Sequence, residues 1–146
     1  MGGVFRKNLA ALDLTTGEAT SWDPNANLEV TAVTATPTTV YVAGVFSSIG
    51  ADARNGLAAV DAATGTATAW NPNPMGGVYA ITVSDTTLYL GGDFYNIGGQ
   101  LRYGLASYGL NSGTLTAWNP SVFGSVLTIS VSGSTVYAGG NFNSAG

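Results

Sequence analysis

Val78-Tyr79-Ala80-Ile81-Thr82-Val83-Ser84-Asp85-Thr86-Thr87-Leu88-Tyr89-Leu90-Gly91-Gly92-Asp93-Phe94 is the stretch that decides the fold of this chain. Val78–Val83 is a β-branched and aromatic run of strand length, and Thr87–Leu90 is a second. Ser84-Asp85-Thr86 is a turn cluster between them, so the pair reads as a hairpin. The same hairpin recurs as Val30–Thr36 with Thr39–Phe46, and as Val126–Ser132 with Thr135–Phe142. Trp22, Trp70 and Trp118 are spaced by 48 residues, as are Arg6, Arg54 and Arg102, Tyr41, Tyr89 and Tyr137, and Phe46, Phe94 and Phe142. Gly2, Gly50, Gly98 and Gly146 close the frame, giving three gapless repeats over 3–50, 51–98 and 99–146. A fixed period of this length marks a stack of like supersecondary units.

A second hairpin alternates with the first. Its outgoing strand is Leu9–Leu12, Leu57–Val60 or Leu105–Tyr108, and its turn is 13–17, 61–65 or 109–113. Asp13 and Asp61 can accept backbone amides across that turn, and the closing glycine supplies the positive φ. The return strand, Glu18–Trp22, Thr66–Trp70 or Thr114–Trp118, stops at Pro24, Pro72 or Pro120, which has no donor. Alternation points Val78, Ala80 and Thr82 to one face and Tyr79, Ile81 and Val83 to the other. No segment has helical periodicity. Each repeat is therefore expected to be a four-stranded antiparallel meander, apolar or Thr-rich on both faces and in need of neighbours on both sides. Stacked meanders of this length are the blades of an all-β propeller.

The run from Val78 through Tyr89, Gly91-Gly92, Phe94, Arg102 and Leu105 to Trp118-Asn119-Pro120 resembles the bacterial δ-60-type repeats. All three repeats carry the pattern, so the resemblance covers essentially the whole chain. It implies a secreted or surface β-propeller of mostly unassigned function. One departure is the Trp of each repeat, where many such repeats carry Phe. Asp61-Ala62-Ala63-Thr64-Gly65 with Trp70 is also similar to the repeat of quinoprotein propellers. That match stops there, and no quinone cofactor site accompanies it. Gly91-Gly92 resembles the glycine pair of kelch repeats, without the kelch Tyr and Trp spacing.

Composition narrows the function further. An apolar fraction of 45% suits a packed core. Only four Lys and Arg stand against eight Asp and Glu, and three of those four cations occupy one repeat position. A nucleic-acid partner needs a basic stripe, so none is expected. The chain has no Cys and no His, which removes disulfides, thiolate metal sites and the commonest general base. No metal or cofactor is expected. No apolar run is long enough to span a membrane, and no signal peptide is present. Met1-Gly2 precede the repeat frame and read as an added start. Few Lys and many Thr, Ser and Gly point to an exported protein, extracellular or at the cell surface.

Three blades are too few, because propellers typically close with about 4–8. The chain opens with the second hairpin of a blade and ends with the first hairpin of another. Each leaves an unpaired edge. The C-terminal hairpin of one copy is expected to pair with the N-terminal hairpin of another, giving a homodimer of six blades, two of them composite. A filament through non-closing head-to-tail pairing is a second outcome, and a chain that is a fragment of a larger ring is a third.

Few residues invite a functional role. Arg6, Arg54 and Arg102 read either as anion-binding groups or as ties from a loop to backbone carbonyls or the following Asp, and strict repetition favours the ties. Trp22, Trp70 and Trp118 suit sugar stacking but fit packing between blades better. Gly91-Gly92 and Gly98-Gly99 lack the Lys-Ser/Thr of a phosphate loop, and the carboxylates do not form a calcium loop. Residues that break the repeat are better candidates. Asp93 replaces Val45 and Asn141, Tyr95 replaces Ser47 and Asn143, and Tyr103 replaces Lys7 and Asn55. With Asn96 and Gln100 they form a polar-aromatic loop of the kind that contacts carbohydrate, or else they are surface drift. Met75 and Phe123 are expected at blade junctions. A hydrolase or lyase would need carboxylates converging near the axis, for which only Asp93 and Asp52 are placed.

Overall fold

In a computed structural model the chain is described from Val4 to Gly146. Gly2, and the Gly3 that opens the first repeat, lie outside the described residues, as does Met1. The described residues form strands and no helix. In chain order the strands are β1 (Val30–Ala35), β2 (Thr39–Gly44), β3 (Ser48–Ile49), β4 (Asp52–Ala53), β5 (Leu57–Asp61), β6 (Val78–Ser84), β7 (Thr87–Gly92), β8 (Asn96–Ile97), β9 (Gln100–Leu101), β10 (Leu105–Gly109), β11 (Phe123–Ser132) and β12 (Thr135–Ser144). Two three-stranded sheets, β1-β2-β5 and β6-β7-β10, are followed by the two-stranded β11-β12. Every pairing is antiparallel.

Each long hairpin contains a β-bulge at the same repeat position. Val30 pairs with Gly44 and Ala32 with Ala43, leaving Thr31 as the extra residue. Tyr79 and Leu127 are the extra residues of the next two hairpins. The bulge overturns the simple alternation expected for Val78–Val83. A single extra residue moves all that follows to the opposite face. Val78, Ile81 and Val83 accordingly meet in one cluster. The glycine across from each bulge is obligatory. A Cβ on Gly44, Gly92 or Gly140 would overlap the carbonyl of Glu29, Gly77 or Ser125.

The fourth strand expected in each meander is reduced to a single bridge: Leu12 with Ala19, Val60 with Ala67, and Tyr108 with Leu115. Local side chains cut it short. The Thr68 hydroxyl accepts the Trp70 amide at 3.3 Å, and the Thr68 carbonyl accepts the Arg54 guanidinium. Thr20 does the same with Trp22 and Arg6, and Thr116 with Trp118 and Arg102. A hydroxyl that captures a neighbouring amide competes with the ladder. The Arg residues therefore sit as ties to backbone carbonyls, and Arg6 also approaches Asp23 at 4.0 Å. The small hairpins β3-β4 and β8-β9 were not expected; they fold about Gly50 and Gly98-Gly99.

The sheets stack face to face. Tyr41, Ala43, Leu57 and Ala59 of the first pack on Val78, Ile81, Leu88 and Leu90 of the second. Leu9, Trp22 and Ala26 of the N-terminal segment cover the other face of the first sheet, against Val42, Phe46 and Val60. Val122, Val126 and Ile129 join Leu105 between the second and third. Each fully buried aliphatic or Phe side chain here contributes about 1.5–3 kcal/mol. Burial runs out at both ends of the stack. Tyr41 is 9% exposed, whereas its equivalent Tyr137 is 60% exposed. Ile81 is 9% exposed, whereas its equivalent Val33 is 50% exposed. The stack is open and no ring closes among the described residues.

Candidate functional site

The candidate residues lie on one excursion between β7 and β10. Gly92 donates its amide to Gly104, and Gly104 donates to Phe94, both at 3.0 Å, so the excursion leaves and returns at one point. Its arms are held by the Arg102 amide on the Tyr95 carbonyl and by the β8-β9 pairing.

The side chains on this excursion do not converge. Asp93 accepts the Gly77 amide at 2.6 Å and the Tyr79 hydroxyl at 2.8 Å, so each carboxylate oxygen holds one donor at the bulge. The hydrogen bond to Asp93 raises the Tyr79 phenol above its ordinary range, with burial and the carboxylate charge adding to it. Tyr95 is exposed, and its amide donates to Met75. Asn96 lies in β8, half-buried, with its carbonyl accepting the Met75 amide at 2.8 Å. Gln100, in β9, accepts the Arg102 guanidinium at 3.2 Å. Tyr103 stacks on Phe123 with ring centroids 5.1 Å apart and planes at 28°. Phe123 thus meets a residue of its own repeat, and Phe123 and Met75 are both exposed. Asp52 is exposed in β4.

Gln100 borders a concave surface. An open groove of about 460 Å³ runs between Trp70 and Tyr108, with Gly98, Gln100, Asn71 and Thr114 along it. The Trp70 ring meets Tyr41 and Tyr108 edge to face, at 5.5 Å and 5.2 Å. Its Nε1–H donates to the Gly113 carbonyl at 3.2 Å. The Tyr108 hydroxyl is buried and has no hydrogen-bond partner among the described residues. Burial pushes its pKa up to about 12, against a smaller lowering by Arg102. The sequence reading missed Tyr108, although the signal was present: Leu12 and Val60 occupy its position in the other repeats.

The turn carboxylates serve the fold. Asp13 accepts the amides of Thr15 and Thr16 at 2.9 and 2.8 Å, and Asp61 those of Ala63 and Thr64 at 2.9 and 2.7 Å. These bonds, led by the Thr16 and Thr64 amides, hold both carboxyls below their ordinary 3.8. Gly109 stands there in the third repeat, whose turn still closes through the Gly113 amide on the Gly109 carbonyl. Comparison with family models, curated proteins and solved structures finds no match to this chain.

Proposed function

We propose that this protein is a non-catalytic repeat scaffold of the β-propeller kind, working outside the cell, whose end sheets are covered by a second copy of the same chain in a six-bladed ring. One observation carries the reading. The contact buried in the middle of the stack, where Tyr41 and Ile81 share a cluster, survives at the two ends only as its separated halves, Tyr137 and Val33. Each end therefore offers the surface the other lacks. The resemblance to δ-60-type repeats supports the same architecture and an extracellular setting. The hydrolase reading needs a second carboxylate beside Asp93, and Asp93 is instead engaged by Gly77 and Tyr79.

Light scattering coupled to size exclusion across a dilution series tests this. The expected particle has about twice the 14.7 kDa chain mass. A single species at the chain mass at all concentrations overturns the reading. A second reading, a glycan-binding surface, is favoured by the neutral Trp70–Gln100–Tyr108 groove. Glycan-array binding lost on Gln100→Ala supports it, and a blank array removes it.

A further inference from the structure

We infer that the second copy docks in one defined register, with its residues 9–13 pairing antiparallel along the free edge of β12 and its following turn capped by Trp118. The inference rests on the ring reading above and specifies the contact. The two complete sheets give the rule. Across β2 and β5, Thr39 faces Asp61, Tyr41 faces Ala59 and Ala43 faces Leu57. Across β7 and β10, Thr87 faces Gly109, Tyr89 faces Ser107 and Gly91 faces Leu105. β12 carries the third set, Thr135, Tyr137 and Gly139, and among the described residues has a neighbour only on its β11 side. Continuing the period places Asp13, Ala11 and Leu9 of the second copy opposite them. Those residues have no strand on the corresponding side in their own chain: among the described residues their hairpin is the single Leu12–Ala19 bridge.

The tryptophans supply an independent reason. Trp22 donates its indole N–H to Asp61 at 3.0 Å, and Trp70 donates to Gly113 at 3.2 Å. In both cases the acceptor is a backbone carbonyl on the outer turn of the next sheet. The Trp118 indole makes no such bond among the described residues, while its ring already packs on Tyr89 at 5.4 Å as Trp70 packs on Tyr41 at 5.5 Å. In the proposed register the missing acceptor is the carbonyl of residue 13 or 17 of the second copy. The third neighbour of this junction is the face of β1. The apolar groove bordered by Leu9, Trp22, Val33 and Val40 lies there, about 230 Å³ in volume. Tyr137 of the second copy fills it as Tyr41 packs beside Ile81.

The chain has no cysteine, so engineered cross-links report cleanly. The register sets Ala10 of one copy opposite Ala138 of the other, as Ala58 faces Val42 and Ala106 faces Leu90. The double variant Ala10→Cys/Ala138→Cys is expected to oxidise into covalent dimers, twice the 14.7 kDa chain on a non-reducing gel. A pair shifted by two residues, Ala10→Cys/Val136→Cys, is expected to stay largely uncross-linked. Dimers that form in solution but cross-link equally through both pairs, or only through the shifted one, overturn the register and leave the ring reading standing. Chains that remain monomeric overturn both. Trp118→Phe keeps the ring and removes the donor, so dissociation should rise by about fivefold for each lost bond. An unchanged dissociation constant removes the tryptophan from the contact.

Discussion

The second and third sheets are built from nearly the same residues and live in different surroundings. β7 pairs with β6 on one side and β10 on the other, and its sheet has a neighbour on each face. Among the described residues β12 pairs only with β11, and its outward face is largely exposed. Leu88 and Leu90 of β7 are fully buried, while their equivalents in β12, Val136 and Ala138, are only half-buried. Repetition of sequence therefore does not bring repetition of burial. A repeat derives much of its stability from its neighbours, so the end unit is the weak one.

The largest expected contrast comes from the glycines opposite the bulges. Gly92→Ala drives a methyl into the Gly77 carbonyl of a strand held on both sides and should cost more than about 4 kcal/mol in urea denaturation. Gly140→Ala makes the same clash with Ser125, but in dilute solution β12 is held by a strand on one side alone among the described residues, and the loss should be clearly smaller. Equal losses would mean that β12 is as firmly held as β7. Next come the phenylalanines. Phe94 is fully buried and Phe142 only half-buried. Phe94→Ala should cost about 3–5 kcal/mol, the usual range for a buried aromatic. Phe142→Ala should cost less in dilute solution, with the gap narrowing as protein concentration rises and a second copy covers the third sheet.

Smaller effects sharpen the same comparison. Tyr108→Phe removes a buried hydroxyl that has no partner among the described residues, so stability should stay within about 0.5 kcal/mol or improve. A loss above about 1.5 kcal/mol would reveal a hydrogen bond at that hydroxyl. The smallest effect is the acid limb of stability. Asp13 and Asp61 have folded pKa values below the ordinary 3.8, so their contribution is complete above that value and is lost as pH falls through the folded ones. The third turn carries Gly109 and contributes nothing to this limb. The double variant Asp13→Asn/Asp61→Asn should flatten stability below about pH 4 relative to the parent, measured by denaturation between pH 6 and 2.

The hairpins were legible because their signal is local. β-branched runs of strand length either side of Asp85-Thr86 or Gly133-Ser134 name their own partners. The bulges were not, because nothing in Val78–Val83 marks Tyr79 as the extra residue. The mark lies across the hairpin, in Gly92 and in the Gly77 carbonyl that excludes a Cβ there. The fourth strand was over-read for a related reason. Thr66–Trp70 has the composition of a strand, but Thr68 and Arg54 divert its amide and carbonyl. At the candidate site, breaks in the repeat correctly marked unusual positions and said little about their use. Asp93, Tyr95, Asn96, Gln100 and Tyr103 share one excursion, yet their side chains do not meet in one site. Only Gln100 reaches the groove, beside a Tyr108 that the same criterion would have found.

Amide hydrogen exchange on β7 and β12, followed at two protein concentrations, tests the central claim most directly. At high concentration the outer amides of β12 should be protected nearly as well as those of β7. On dilution β12 should lose that protection while β7 keeps its own. Protection of β12 that is equally low at both concentrations would contradict the account, because its free edge would then have no partner in a second copy of the chain.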